Sequence, residues 1–66
     1  MKDHYYIKLT PISYDDESAR FLVEGDAISI SPKNIMIFDD ITVAIDYKLY
    51  LSSKYDIYYN VTIERF

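Results

Sequence analysis

The chain has no cysteine, no tryptophan, one glycine (Gly25), one histidine (His4) and two prolines in 66 residues. Each shortage removes a class of chemistry. Without cysteine there is neither a disulfide staple nor a thiolate metal site, and a single histidine rules out a multi-histidine metal centre within one chain. One glycine leaves no glycine-rich loop to cradle a phosphate and no glycine-flanked elbow around any serine nucleophile. No apolar run approaches transmembrane length, and the opening MKDHYY lacks an apolar signal region, so the expected compartment is the cytoplasm. The expectation is a protein that is not an enzyme, with no cofactor, no metal and no membrane partner.

What is present is apolar and aromatic. Half the residues are hydrophobic, among them eight tyrosines, three phenylalanines and ten isoleucines, too many for a disordered chain. Eleven acids against seven lysines and arginines leave a net charge of −4. That balance disfavours direct binding of nucleic acid or an anionic membrane and makes a basic partner electrostatically easier; it also serves plain solubility. At this length one domain, 1–66, sits near the lower limit for a self-supporting core, so efficient β packing, self-association or both are required.

Along the chain, His4–Ile12 alternates Tyr5, Ile7, Leu9 against His4, Tyr6, Lys8, Thr10 and reads as a first strand. Pro11 cannot donate to a ladder, which places that strand's end at a sheet edge or bulge. Residues 13–25 allow two readings. One is a helix capped by Ser13 or Asp15, with an Ala19, Leu22, Val23 stripe and Gly25 at its stop. The favoured one is a strand over Arg20–Glu24 and a two-residue Gly25-Asp26 turn into Ala27–Ser31. Pro32 marks a turn over 31–34, and the wholly apolar 35–38 reads as a short strand in a central position.

The last 26 residues contain two alternating runs, 41–51 and 56–66, which read as one long hairpin. Merging the apolar rows (Ile41, Val43, Ile45, Tyr47, Leu49, Leu51 with Ile57, Tyr59, Val61, Ile63) requires an odd-length connection such as 52–54 or 53–55. The resulting expectation is an all-β meander of about six strands (4–12, 20–24, 27–31, 35–38, 41–51, 56–66), closed into a small barrel or folded into a two-layer sheet. The alternative is an α+β domain with one short helix near 15–24.

The candidate sites follow from that frame. Asp15, Asp16, Glu17, Glu24, Asp26, Asp39 and Asp40 fall at predicted turns, where carboxylates satisfy turn geometry and form an acidic surface for a partner. They lack the cleft and the contrasting environments that paired catalytic carboxylates need, and 15–17 lacks the ligand spacing of a calcium loop. His4 reads as a surface residue near the terminus. Asn60-Val61-Thr62 matches a glycosylation acceptor by coincidence, lying mid-strand. Tyr47 and Tyr59 belong to the core row. Tyr50, Tyr58 and Phe66, joined by Tyr6, lie on the hairpin's other face and read as interface aromatics, the simplest use being a homodimer through that Tyr-rich face.

Short length, acidic balance, turn-clustered carboxylates and tyrosine-rich strands together resemble the small acidic inhibitors made by bacteriophages. Some of those imitate the charge of DNA to occupy a host DNA-binding protein. That resemblance implies a basic protein partner in the host cytoplasm, with the seven turn acids as phosphate surrogates. Two alternatives use other residues: a small barrel that stacks single-stranded nucleic acid on Tyr50 and Tyr58 beside Lys48 and Lys54, or a structural or virion subunit.

Overall fold

The computed structural model describes residues 3–12, 18–55 and 57–66. Four strands, β1 (Tyr5–Pro11), β2 (Arg20–Val23), β3 (Ala27–Ser29) and β4 (Tyr59–Arg65), form one antiparallel sheet in the order β3-β2-β1-β4. One helix, α1 (Ile41–Tyr55), covers a face of it. The fold is therefore two-layer α+β and the sheet stays open; the barrel is corrected. So is the position of the helix expected in the alternative, since 20–23 is strand and the helix comes much later.

The main correction concerns 41–51, which is helical rather than the first arm of a hairpin. Its apolar residues are so dense that periods of 2.0 and 3.6 can both be drawn through them. Packing decides between the two. Ala44 and Leu51 are buried and Tyr47, Lys48 and Tyr55 half-buried, which is the three-and-four spacing of a helix face. Asp40 starts the helix: its Oδ1 accepts from the Thr42 amide at 2.9 Å and its carbonyl from the Ala44 amide at 3.2 Å. Asp39-Asp40 thus opens a helix instead of turning one strand into another, and Phe38 does not oppose Ile41.

With no strand before it, β4 pairs along its whole length with β1, from Tyr5 opposite Arg65 to Pro11 opposite Tyr59. This makes β1 a central strand, with only its Pro11 end left at an edge, as that residue implies. The proline is tolerated because it is β1's last residue, beyond the Leu9–Arg20 pair where the ladder to β2 ends. The β2–β3 connection has three residues, Glu24-Gly25-Asp26, rather than two, since Val23 pairs with Ala27. Gly25 and Asp26 both adopt positive φ, 88° and 58°. That extra residue sets Leu22 opposite Ile28, so both can pack towards the core.

At the Tyr5 end of β1 and the Val23 end of β2 the two strands part, and residues 34–38 fill the gap. On one side the Tyr5 amide donates to the Phe38 carbonyl at 2.9 Å and the Phe38 amide to the Tyr5 carbonyl at 2.8 Å. On the other the Met36 amide donates to Leu22 at 3.0 Å and the Glu24 amide to Asn34 at 3.0 Å. The segment faces β2 at Asn34 and Met36 and β1 at Phe38, so its hydrogen-bonding edge switches near Ile37 and it forms bridges rather than a continuous strand.

The core lies between this sheet and α1: Ile7 and Leu9 of β1, Leu22, Val61, the wedged Phe38, and Ala44 and Leu51 of the helix. Tyr47 and Tyr59 pack against its rim as half-buried residues, Tyr47 with its ring 5.2 Å from that of Phe38 and Tyr59 edge-on to Tyr55 at 5.8 Å.

Candidate protein-binding surface

The topology gathers carboxylates at one end. Asp3 precedes β1, Glu24 and Asp26 belong to the β2–β3 turn, Asp39 and Asp40 precede α1, and Glu64 is the penultimate residue of β4, opposite Tyr6. Asp46, one turn into α1, lines with Asp26, Tyr47 and Tyr50 an open hollow of about 290 Å³. A second open hollow, about 450 Å³, is lined by Asp3, Tyr5, Asp39, Asp40 and Ile41. Glu24, Asp26, Asp39, Asp40 and Asp46 are all exposed. Among the described residues, basic groups at this end are few and engaged. The His4 Nδ1 lies 2.6 Å from Asp39 Oδ1, and Arg65 Nη2 donates to Asp3 Oδ2 at 3.2 Å; Lys33 lies in the adjoining turn. Of the predicted acidic surface, Glu24, Asp26, Asp39 and Asp40 are brought to one end, with Asp40 also serving as a helix cap. Asp15, Asp16 and Glu17 lie outside the described residues. Asp3, Asp46 and Glu64 were missed, because only the folded chain sets them beside the turn acids.

The predicted aromatic interface does not exist as one surface. The face expected to carry it belonged to a hairpin whose first arm is helical. Tyr50 stands on α1 with the Lys54 Nζ 5.8 Å from its ring, and Tyr58 stands in the turn after the helix. Both are well exposed, at 59% and 64%. Tyr6 and Phe66 do meet, edge to face at 5.9 Å, on the sheet face away from α1. Phe21 joins them there, 6.0 Å from Tyr6, and sequence parity of β1 and β2 was enough to place it had their register been known.

Lys48 is half-buried on the helix's inner side, so Tyr50, Tyr58, Lys48 and Lys54 do not present a common stacking plane. Among the described residues no group of three or more histidines or carboxylates is arranged to hold a metal ion, and no helix is long and apolar enough to cross a membrane. No protein-family model, curated protein or solved structure matches the chain.

Proposed function

We propose that this chain is a non-catalytic binding protein that presents its acidic end to a basic protein, in the manner of an inhibitor that imitates the charge of DNA. One observation carries the reading. Seven carboxylates separated by up to 61 positions in sequence, Asp3 to Glu64, converge on one end of the fold, and among the described residues the basic side chains there are hydrogen-bonded to carboxylates or stand at the margin. Charge of one sign concentrated on one surface steers a partner of the opposite sign and makes its affinity depend on salt. Within this reading Glu24, Asp26, Asp39 and Asp46 stand as phosphate surrogates, Asp40 contributes while capping α1, and the cytoplasm of a host cell is where such a target would be met.

The test is competition. The chain is immobilised, a bacterial lysate is passed over it, and a retained basic protein is eluted with salt or with duplex DNA. The reading expects release by either, and loss of retention in the Glu24→Lys, Asp26→Lys, Asp46→Lys variant. Retention unmoved by salt, by DNA and by the charge reversal would sink it.

A further inference from the structure

The strand β4 has one side unpaired. Tyr5 spends both its main-chain groups on Phe38, so alternation directs those of Ile7 and Leu9 towards β2 as well. The bonds that join β1 to β4 are therefore made by even-numbered residues, as the Phe66 amide to the His4 carbonyl at 2.7 Å and the Ile12 amide to the Tyr58 carbonyl at 3.1 Å show at the two ends. The N–H and C=O groups of Tyr59, Val61, Ile63 and Arg65 consequently point away from the sheet. Among the described residues nothing bonds to them. The edge is seven residues long, without proline, glycine or bulge, whereas the opposite edge, β3, has three. Long regular edges are normally blunted or covered.

The layer above this edge carries an apolar ridge. Helix α1 packs on β4 and β1. Tyr47 touches Phe38, and Tyr47 and Tyr50 share a hollow with Asp26, so that flank of the helix faces β2 and β3. Ile41, Ile45 and Leu49, spaced by four, occupy the opposite flank, on the β4 side, and are 40%, 42% and 60% exposed.

From these two features we infer that the chain pairs with a second copy of itself, β4 against β4 in antiparallel register about a two-fold axis through Thr62. That axis stands normal to the sheet, so the eight strands become continuous and both helices lie on one face. The register sets Val61 opposite the other Ile63, Tyr59 opposite Arg65 and Asn60 opposite Glu64. Apolar meets apolar, a guanidinium meets an aromatic ring, and no like charges meet. Shifting the axis to Ile63 would place Val61 against Arg65 and shorten the overlap. Because strands lie about 4.8 Å apart, a helix seated between β1 and β4 comes about 10 Å from its symmetry mate, an ordinary helix-packing distance. The two Ile41-Ile45-Leu49 ridges then close on each other. A second copy suits this surface better than a basic partner: Val61 to Ile63 and the ridge offer no carboxylate, and the half-buried Lys48 beside the ridge would repel a basic partner. A seven-residue edge about 23 Å long and a layer about 20 Å high bury roughly 900 Å² over both copies, just under the about 1,000 Å² a stable specific interface clears, so the pairing is a weak one.

This inference is independent of the acidic end and has its own test. Sedimentation equilibrium of the full chain from about 5 to 500 µM is expected to show a monomer–dimer equilibrium. Leu49→Glu should weaken it by at least tenfold while far-ultraviolet dichroism is unchanged, and Tyr50→Glu on the other flank should not. Thr62 is exposed and faces its own copy as a non-hydrogen-bonded pair, where Cα atoms approach to about 4.5 Å, within disulfide range. In a chain free of cysteine, Thr62→Cys should therefore give a linked dimer with oxidised glutathione, and Thr10→Cys, on β1, should not. A monomer across the whole concentration range, or a dimer in which Thr62→Cys links no better than Thr10→Cys, overturns the inference.

Discussion

The Oδ1 of Asp40 lies 2.9 Å from the amide nitrogen of Thr42, and that contact caps the first turn of a helix built from a stretch with strand-like alternation. The first turn of any helix has amide groups without intrahelical acceptors, and Asp40 satisfies one of them while its charge complements the helix's positive end. The Asp40→Ala variant is expected to lose about 1 kcal/mol of stability, or roughly 4–8 °C in Tm for a domain of this size. Asp40→Asn should recover most of it. Urea unfolding followed by circular dichroism measures both, and an Asp40→Ala midpoint equal to the parent's would contradict the cap.

Phe38 joins three parts of the molecule. Its backbone bridges Tyr5, its side chain is buried, and its ring meets Tyr47 on α1. Truncation to Ala should cost about 3–5 kcal/mol, enough to unfold a domain this small at room temperature. Phe38→Leu keeps most of the buried volume and is expected to stay folded with a lower melting temperature. The neighbouring Ile37→Ala, at a residue 40% exposed, should be much milder, and thermal melts of the three variants provide the ranking.

Of the three described residues with left-handed backbone, Gly25, Asp26 and Asn34, the first and last hold it for different reasons. Gly25 has a φ of 88° with open space where a Cβ would stand, so Gly25→Ala is penalised by backbone conformation alone, about 1 kcal/mol. Asn34, at φ 63°, is an L-residue that tolerates this region comparatively well. Asn34→Gly should therefore be neutral or slightly stabilising, and Asn34→Val clearly destabilising. Denaturant midpoints that ranked Asn34→Val above the parent would remove this account.

Lys54 closes the last turn of α1 between two aromatic rings, its Nζ 5.8 Å from the Tyr50 centroid and 5.4 Å from that of Tyr55. The ammonium also lies at the negative end of the helix. Lys54→Met keeps the aliphatic stem and removes the charge, and should cost about 0.5–1 kcal/mol at low salt. The Lys54→Arg variant should match the parent. If Lys54→Met melts with the parent, the ring contacts contribute nothing to stability.

Much of the sheet was legible because alternation is unambiguous where polar and apolar residues truly alternate. His4–Ile12 and the second half of the terminal runs read as strands and are β1 and β4; the turn at Gly25 was visible from its one glycine. The turn acids at Glu24, Asp26, Asp39 and Asp40 were likewise readable by residue type, but not their convergence with Asp3, Asp46 and Glu64, which depends on strand order. The reading failed at 41–51. There Ile41, Val43, Ile45 and Leu49 supply apolar residues beyond those one face of a helix buries, so they imitate a strand.

The sequence by itself determined the local chemistry: the strands that alternate, the turns that need glycine or proline, the acidic balance and the lack of cysteine and histidine sites. These depend on neighbours a few positions apart. Only the tertiary structure decided whether 41–55 pairs or coils, because that choice turns on what its side chains find to bury against. A sheet that already offered Ile7, Leu9, Leu22 and Val61 on one face needed a cover. Ala44 and Leu51 can reach that face together only from a helix. The same step left β4 at the edge, with one row of its backbone groups facing outward.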